Sequence, residues 1–318
     1  MLVLASVVLA ASLGPVPVDF VHAVLGPATD NLDRTIVFRA RLPRILLGLV
    51  VGGALASSGA ALQAILRNPL AEPHILGVSG GAALGGVVTV LFAGATPGAE
   101  WSLQPLGAFA GALAATLLVY RLGIVRGRLH PYTLLLAGVV CNALAGALLL
   151  FLNAIADVYQ AQSLLFWLMG SLAVQSYGIV AAVAVYVALG FTVLLREAPA
   201  LNCLSLGDDE AFHLGVDVHR VRRSAFVASA FLVGAVVSVS GMIGFVGLVV
   251  PHIVRILTGA DNRLLIPASF LAGGVTLLWA DTGARVLLGA TELPVGVVTA
   301  LLGGPFFVYL LRRESTRT

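Results

Sequence analysis

The chain has 318 residues, 59% hydrophobic and 10% charged, with a formal net charge of +3 and a mean hydropathy of +1.02. Soluble domains carry about 25% charged residues, so a soluble globular protein is excluded, and so sparse a charge argues against a nucleic-acid partner. The apolar runs are continuous rather than short and alternating, which excludes a transmembrane barrel. What remains is an all-α polytopic membrane protein, a single transmembrane domain over residues 1–318 with room for about ten spans of about 20 residues.

In chain order, residues 1–13 are apolar but short, with no basic n-region and no clear cleavage site beyond them. They read as a short or truncated first span rather than a signal peptide. A polar stretch, 14–44, forms the first external loop. Further spans are predicted at 45–66, 75–93, 105–122, 132–152, 178–195, 224–240, 243–257, 264–288 and 294–311. Segment 163–173 is apolar but too short to cross, and reads as a helix packed at the outer surface. The string Arg67-Asn68-Pro69-Leu70-Ala71-Glu72-Pro73-His74 stops one span, and a Gly-rich apolar run starts again at once. Runs such as Gly48-x-x-x-Gly52, Gly77-x-x-x-Gly81-x-x-x-Gly85 and Gly107-x-x-x-Gly111 permit close helix packing. Residues 52–59 resemble residues 234–241, five spans later, and an odd offset fits an inverted-repeat transporter.

All 18 basic residues are arginine. Thirteen of the 18 fall on the even-numbered connections and the C-terminal tail, which makes those connections and both termini cytoplasmic. Arg34, Arg39, Arg41 and Arg44 in the first external loop, and Arg285 near the outer end of the ninth span, oppose this rule. They either pair locally with Asp30, Asp33 or Asp281, or form a docking surface for an acidic partner.

Few residues could carry chemistry. Gly77-Val78-Ser79-Gly80-Gly81 matches the G-x-S-x-G pattern, but the strand that a hydrolase elbow requires is missing. His213 and His219, near Asp208, Asp209, Glu210 and Asp217, fit no standard zinc spacing, so a solvated surface is expected and no metal. Cys141 and Cys203 form no redox or disulfide pattern. Asp281 and Arg285 stand four apart in one span and can satisfy each other, which argues against a proton-coupled secondary carrier. The chain has no G-x-x-x-x-G-K-[ST], so any ATP-driven transport needs a nucleotide site on another subunit.

The longest cytoplasmic connection, 196–223, is the expected coupling element. Residues 204–216 read as a short amphipathic helix, with Asp208 and Asp209 at its start and Gly215 at its end. Leu206, Phe212, Leu214 and Val216 would form an apolar ridge for a groove on a soluble partner, or for lying on the bilayer.

Several strings in order then resemble the FecCD permease family. They are Arg41-Leu42-Pro43-Arg44, Asn68-Pro69-Leu70-Ala71-Glu72-Pro73, Leu76-Gly77-Val78-Ser79-Gly80-Gly81-Ala82 and Trp167-Leu168-Met169-Gly170-Ser171-Leu172. Residues 241–252, Ala280-Asp281-Thr282-Gly283-Ala284-Arg285 and 292–299 complete the set, which covers essentially the whole chain after Arg41.

The resemblance implies the permease of a type II ABC importer for haem, cobalamin or ferric siderophores, with small oxyanions a minor class. Two copies would enclose a path in the inner membrane, two ATPase subunits would bind ATP and Mg below, and a periplasmic binding protein would dock above. This chain itself would bind no cofactor. Arg41, Arg44 and Arg285 would meet acidic residues of the binding protein. Leu206, Gly207, Asp208, Asp209, Glu210, Ala211, Phe212, His213, Leu214, Gly215 and Val216 would engage the ATPase. Pro131, Tyr132, Thr133 and Leu134 would form one cytoplasmic gate, and Gly77, Val78, Ser79 and Gly80 a second. No His or Tyr stands clearly mid-path as an axial ligand for iron. Haem is nevertheless the favoured cargo, with cobalamin and ferric siderophores next.

Overall fold

A computed structural model describes residues 2–26, 31–92, 99–173, 175–287 and 292–315. Met1, Asp30, Arg317 and the predicted span ends at 93 and 288 lie outside the described residues. The elements are α1 (Leu2–Ser12), α2 (Phe20–Leu25), α3 (Leu32–Thr35), α4 (Leu42–Leu66), α5 (Val78–Phe92), α6 (Ala99–Leu122), β1 (Ile124–Val125), β2 (Arg128–Leu129), α7 (Pro131–Ile155) and α8 (Val158–Leu168). They continue with α9 (Tyr177–Leu206), α10 (Asp208–His213), α11 (Val218–Ser240), α12 (Val246–Thr258), α13 (Asn262–Leu287) and α14 (Val295–Ser315). A π-helical stretch, Ile36–Arg41, joins α3 to α4, and a 3-10 turn, Pro73–Leu76, precedes α5.

Six of the described helical segments are long and apolar enough to cross a membrane, and four shorter apolar helices accompany them. Together they stand where ten spans are predicted. The boundaries differ in three places, the first being the short helix expected at 163–173, which is found at Val158–Leu168. The external stretch 14–44 is partly helical, because the helix runs unbroken from Leu32 through the π turn to Leu66. The connection 196–223 is also mostly helix, since α9 continues past Arg196 and Pro199 to Leu206 and α11 begins at Val218. Polar residues there extend helices beyond the apolar layer, which hydropathy does not register.

The core is organised around α4. Every residue from 51 to 63 is buried, and a helix buried all round has no polar face to offer water. Small side chains make this possible. A Cβ on Gly52 would fall 2.2 Å from the Gly273 carbonyl oxygen of α13, and one on Gly59 would fall 1.8 Å from the Gly247 carbonyl of α12. The α5–α6 pair closes in the same way, with Gly81 against Gly111 and Gly85 against Gly107. The repeat is visible as matched neighbours. α4 packs on α12 and α13, while α11 packs on α5 and α6.

α5 and α12 are short, at 15 and 13 residues, or about 22 and 20 Å against a hydrocarbon core of about 30 Å. Non-helical chain completes both crossings. Such backbone is tolerated in a membrane only where protein buries it. Ala71, Pro73, Leu76 and Gly77 are buried before α5, and Gly241 and Ile243 before α12.

Replacing Gly59 by alanine drives a methyl group into the α12 backbone, where a rigid carbonyl cannot give way. We expect Gly59→Ala to destabilise the protein by about 1–3 kcal/mol or more, read as a lowered thermal midpoint in detergent. Gly146→Ala, inside α7 where a Cβ meets nothing within 4 Å, should leave the midpoint unchanged or raise it slightly.

Candidate functional site

Three levels of the molecule carry its polar side chains. At the outer end, the π turn brings Arg41 and Arg44 beside Arg285 of α13. All three border one cavity of about 150 Å³, together with Pro15, Val16, Ile36, Ala40 and Glu292. Arg44 grips Asp281 through Nε at 3.0 Å and Nη2 at 2.9 Å, and donates from Nη1 to Glu292 at 2.7 Å. Arg285 donates to the same Asp281 carboxylate at 3.1 Å and to Thr282 Oγ1 at 3.2 Å. Arg41 donates to the carbonyls of Ala11 at 2.7 Å and Ser12 at 3.0 Å, and to that of Val16.

These arginines are therefore brought together, but they are not displayed. Arg41, Arg44 and Arg285 are 5%, 7% and 3% exposed, each held by partners within the chain. Asp281 and Glu292 answer Arg44 and Arg285, and Asp33 lies close enough to Arg41 to act on its charge. The Asp281–Arg285 pair expected from sequence is present, but Asp281 has a second partner, Arg44, 237 positions away. Nothing in the local sequence announces that contact. Arg34 and Asp33 use other partners, Arg34 lying over the Phe38 ring and Asp33 bonding His22.

In the middle, the chain before α5 and the chain before α12 clasp each other. Phe245 sits at φ +67, a left-handed conformation that is rare for a bulky residue, and its N–H donates to the Glu72 carboxylate. His74 Nε2 donates to the Ile243 carbonyl at 2.6 Å, and Asn142 Nδ2 of α7 donates to the His74 carbonyl at 2.6 Å. Arg255 donates to Gln63 at 2.7 Å alongside.

The predicted second gate lies next to this clasp. Gly77, at φ +81, ends the 3-10 turn, and Val78 and Ser79 are buried. A Cβ on Gly80 would fall 2.5 Å from Asn142 Oδ1, so this segment packs directly on α7. Ser79 Oγ has no hydrogen-bond partner among the described residues, so no general base is in place for a hydrolase. In the predicted first gate, Tyr132 is exposed and Pro131 and Thr133 are half-buried. Leu134 differs from expectation. It is fully buried, reaching the backbone at Gly123, and faces the core of its own chain rather than a path. Above Tyr132, α7 exposes an apolar stripe of Leu136, Val140, Leu144, Leu148, Phe151 and Ile155.

At the opposite end from the arginine cavity, Gly207 breaks α9. Its φ of +148 strains any residue other than glycine there. The amphipathic helix is shorter than predicted, because Leu204 to Leu206 still belong to α9 and only Asp208–His213 form α10. Gly215, at φ +81, closes α10, with Val216 N–H bonded to the Ala211 carbonyl at 3.0 Å. Asp209 and Glu210 are exposed in its first turn, where they suit the helix N-terminus. Leu206, Phe212 and Leu214 are exposed at 67%, 71% and 61%. Val216 departs from the predicted ridge, being half-buried against the core beside buried Ala211.

Asp208 joins three elements here. Its carboxylate accepts from Arg67, at the end of α4, and from Arg222 of α11 at 2.9 Å. Arg67 also donates to the Leu204 carbonyl at 2.7 Å. Arg222, 2% exposed, donates its other amino group to the Leu129 carbonyl at 3.2 Å. Leu129 ends the β1–β2 hairpin, whose turn, Arg126 at φ +52 and Gly127 at φ +79, leads straight into Pro131 of α7. The hairpin and these arginine links were not foreseen. Arg126-Gly127 is a faint turn signal, because arginine is uncommon at positive φ. Burial pushes the Asp208 carboxyl up, but Arg222, Arg67 and His219 outweigh it and hold the group below the usual carboxylate range.

Two outcomes follow from these charges. Removing one partner of a buried pair costs about 3–5 kcal/mol, so Arg44→Ala should lower the thermal midpoint sharply. Pairing it with Asp281→Asn should cost less than the two single losses together, as a double-mutant cycle would reveal. For Asp208, a lowered folded-state pKa gives stability that is full above the ordinary carboxylate value of about 4 and is lost as pH falls through the lowered value. The wild-type thermal midpoint should drop in that acid window. Asp208→Asn should start lower at neutral pH, and its drop should be shallower. An equally steep acid limb in the variant would remove Asp208 from this role.

The FecCD transport family model matches residues 2–313. The cobalamin import system permease of Halobacterium salinarum is 45% identical over 284 residues, covering 89% of this chain and 75% of that protein. The hemin transport system permease of Yersinia pestis is 41% identical over 305 residues, covering 96% and 91%. A solved metal-chelate type ABC transporter in an inward-facing conformation superposes with a TM-score of 0.87 at 34% identity, covering 98% of this chain and 96% of the other.

Proposed function

The chain belongs to the FecCD transport family and has the fold of a type II ABC importer permease, and from this premise we propose that two copies form the membrane pathway of an ATP-driven importer of metal chelates. The family match over residues 2–313 carries the reading. Haem and cobalamin are the first candidates for cargo, since relatives with those cargoes align along most of this chain. Ferric siderophores come next. The host membrane is the inner membrane, with both termini in the cytoplasm, in keeping with the arginine distribution.

In this reading the apolar stripe of α7 faces the path and the second copy. Walls of leucine, valine and alanine hold a bulky chelate weakly and so let it leave. Selectivity then belongs to a periplasmic binding protein. Its acidic side chains reach the outer arginine cavity by replacing Glu292, which is half exposed while Arg44 beneath it is not. Two separate ATPase subunits bind ATP and Mg, and each receives the exposed Leu206, Phe212 and Leu214 of one permease copy.

Motion passes inward from α10 by two routes. One runs from Asp208 through Arg222 to the Leu129 carbonyl and the start of α7. The other runs from Asp208 through Arg67 to the chain ahead of Gly77–Gly80. ATP binding and hydrolysis bias this linkage between two states, because the ATPase interacts differently with each. A proton-coupled carrier is disfavoured, because Asp281 is clamped between two guanidiniums.

Co-reconstitution of this chain in liposomes with its ATPase and binding protein tests the reading. Hydrolysis and uptake should rise with haem or cobalamin on the binding protein. Phe212→Asp should abolish the stimulation and weaken ATPase retention. Uptake without any ATPase subunit, lost in Asp281→Asn, would overturn the importer in favour of a secondary carrier.

A further inference from the structure

An apolar groove of about 540 Å³ runs between α9 and α11, apart from the α7 stripe and the outer cavity. Arg220, Arg223, Ser224, Val227, Ala228 and Phe231 follow one another along its α11 wall, at the spacing of one helix face. They span about 16 Å of helix. Leu189, Gly190 and Val193 of α9 form the opposite wall. Gly190 makes the floor, where a Cβ would meet the Leu232 side chain at 2.9 Å. Leu189 and Val227 are 59% and 48% exposed, so the groove is open along its side. At its far end Phe231 packs edge-on to Tyr186 and Phe109, ring centroids 5.7 and 5.8 Å away.

The charged end differs from the arginine clusters around Asp281 and Asp208. Arg44, Arg67, Arg222 and Arg285 all pair with carboxylates. Among the described residues, neither Arg220 nor Arg223 has an ion pair or a side-chain hydrogen bond. The nearby Asp217 is engaged in capping α11 through the Arg220 backbone N–H at 3.0 Å, and Glu197 borders the adjoining cavity rather than this groove. Two guanidiniums with no carboxylate in ion-pair contact thus stand at the polar mouth of an apolar groove, with Asp217 nearby.

We propose that this groove binds an anionic phospholipid, with its phosphate on Arg220 and Arg223 and one acyl chain lying between Val193 and Phe231. A basic pocket between helices at the membrane surface selects acidic headgroups, and each arginine contributes about fivefold. The site lies beside the α10–α11 connection, so its occupant would brace the element that carries Asp208. The inference requires only that the chain spans a membrane, not the cargo reading.

The test is native mass spectrometry of the purified full chain titrated with phosphatidylglycerol or phosphatidylcholine. Wild type should retain phosphatidylglycerol roughly thirtyfold better. Arg220→Gln/Arg223→Gln should bind both lipids alike, and Arg126→Gln/Arg128→Gln, which removes the same charge from the exposed hairpin, should keep the preference. Equal retention of the two lipids by wild type would overturn the site without touching the importer reading, and it needs no variant to fold. Equal loss in both double variants would also overturn it, as a general charge effect. Lipid preference intact in Arg220→Gln/Arg223→Gln, but with the ATPase subunit released, would assign these arginines to the protein partner instead.

Discussion

The fold depends on one constraint, that peptide groups inside a membrane must find their hydrogen bonds within the protein. α5 and α12 are too short to cross alone, so two stretches of irregular chain lie where lipid offers no partner. They satisfy each other. Glu72 takes the N–H of Phe245, and His74 serves the carbonyl of Ile243. The left-handed Phe245 is held by this clasp rather than by its own preference. Helix α4 joins the clasp through Gln63, which accepts from Arg255, and is otherwise mostly apolar through its middle.

Arginine supplies the cationic side of nearly all the buried polar contacts at both ends of the molecule. Its planar fork can bind a carboxylate and a carbonyl together. Arg222 does this between Asp208 and Leu129, and Arg67 between Asp208 and Leu204. A lysine has neither the spread nor the fixed geometry to bridge two elements in this way. The outer cluster uses the same device, with Asp281 shared between two guanidiniums, so one carboxylate orients side chains from distant parts of the chain.

The ten apolar helices were legible in the sequence because each carries a hydropathy signal of its own. The glycine pairs were legible as a packing tendency, although only the fold reveals that Gly81 meets Gly111 and Gly52 meets Gly273. Helix ends were harder. Arg196 to Leu206 and Leu32 to Arg41 carry polar residues and yet are helical, since packing on the rest of the protein supports a helix beyond its apolar run. For the candidate site, the sequence reading did not give the direction of the side chains. Leu134 and Val216 lie in predicted surfaces and point into the core. The Arg44–Asp281 and Arg222–Leu129 contacts join positions far apart in sequence, and no local pattern encodes them.

α9 is a single helix of 30 residues, about 45 Å long, half as long again as the apolar layer of about 30 Å that it crosses. Its last turns, with Leu201 and Leu204 buried, carry α10 on their end. The height and heading of α10 are then set by arithmetic. One residue added to the helix lifts α10 by about 1.5 Å and swings it by about 100°, which would turn Phe212 away from whatever it faces. The number of residues between the bilayer and Gly207 is thus a mechanical dimension of the machine, as unforgiving of change as the identity of any side chain that α10 presents.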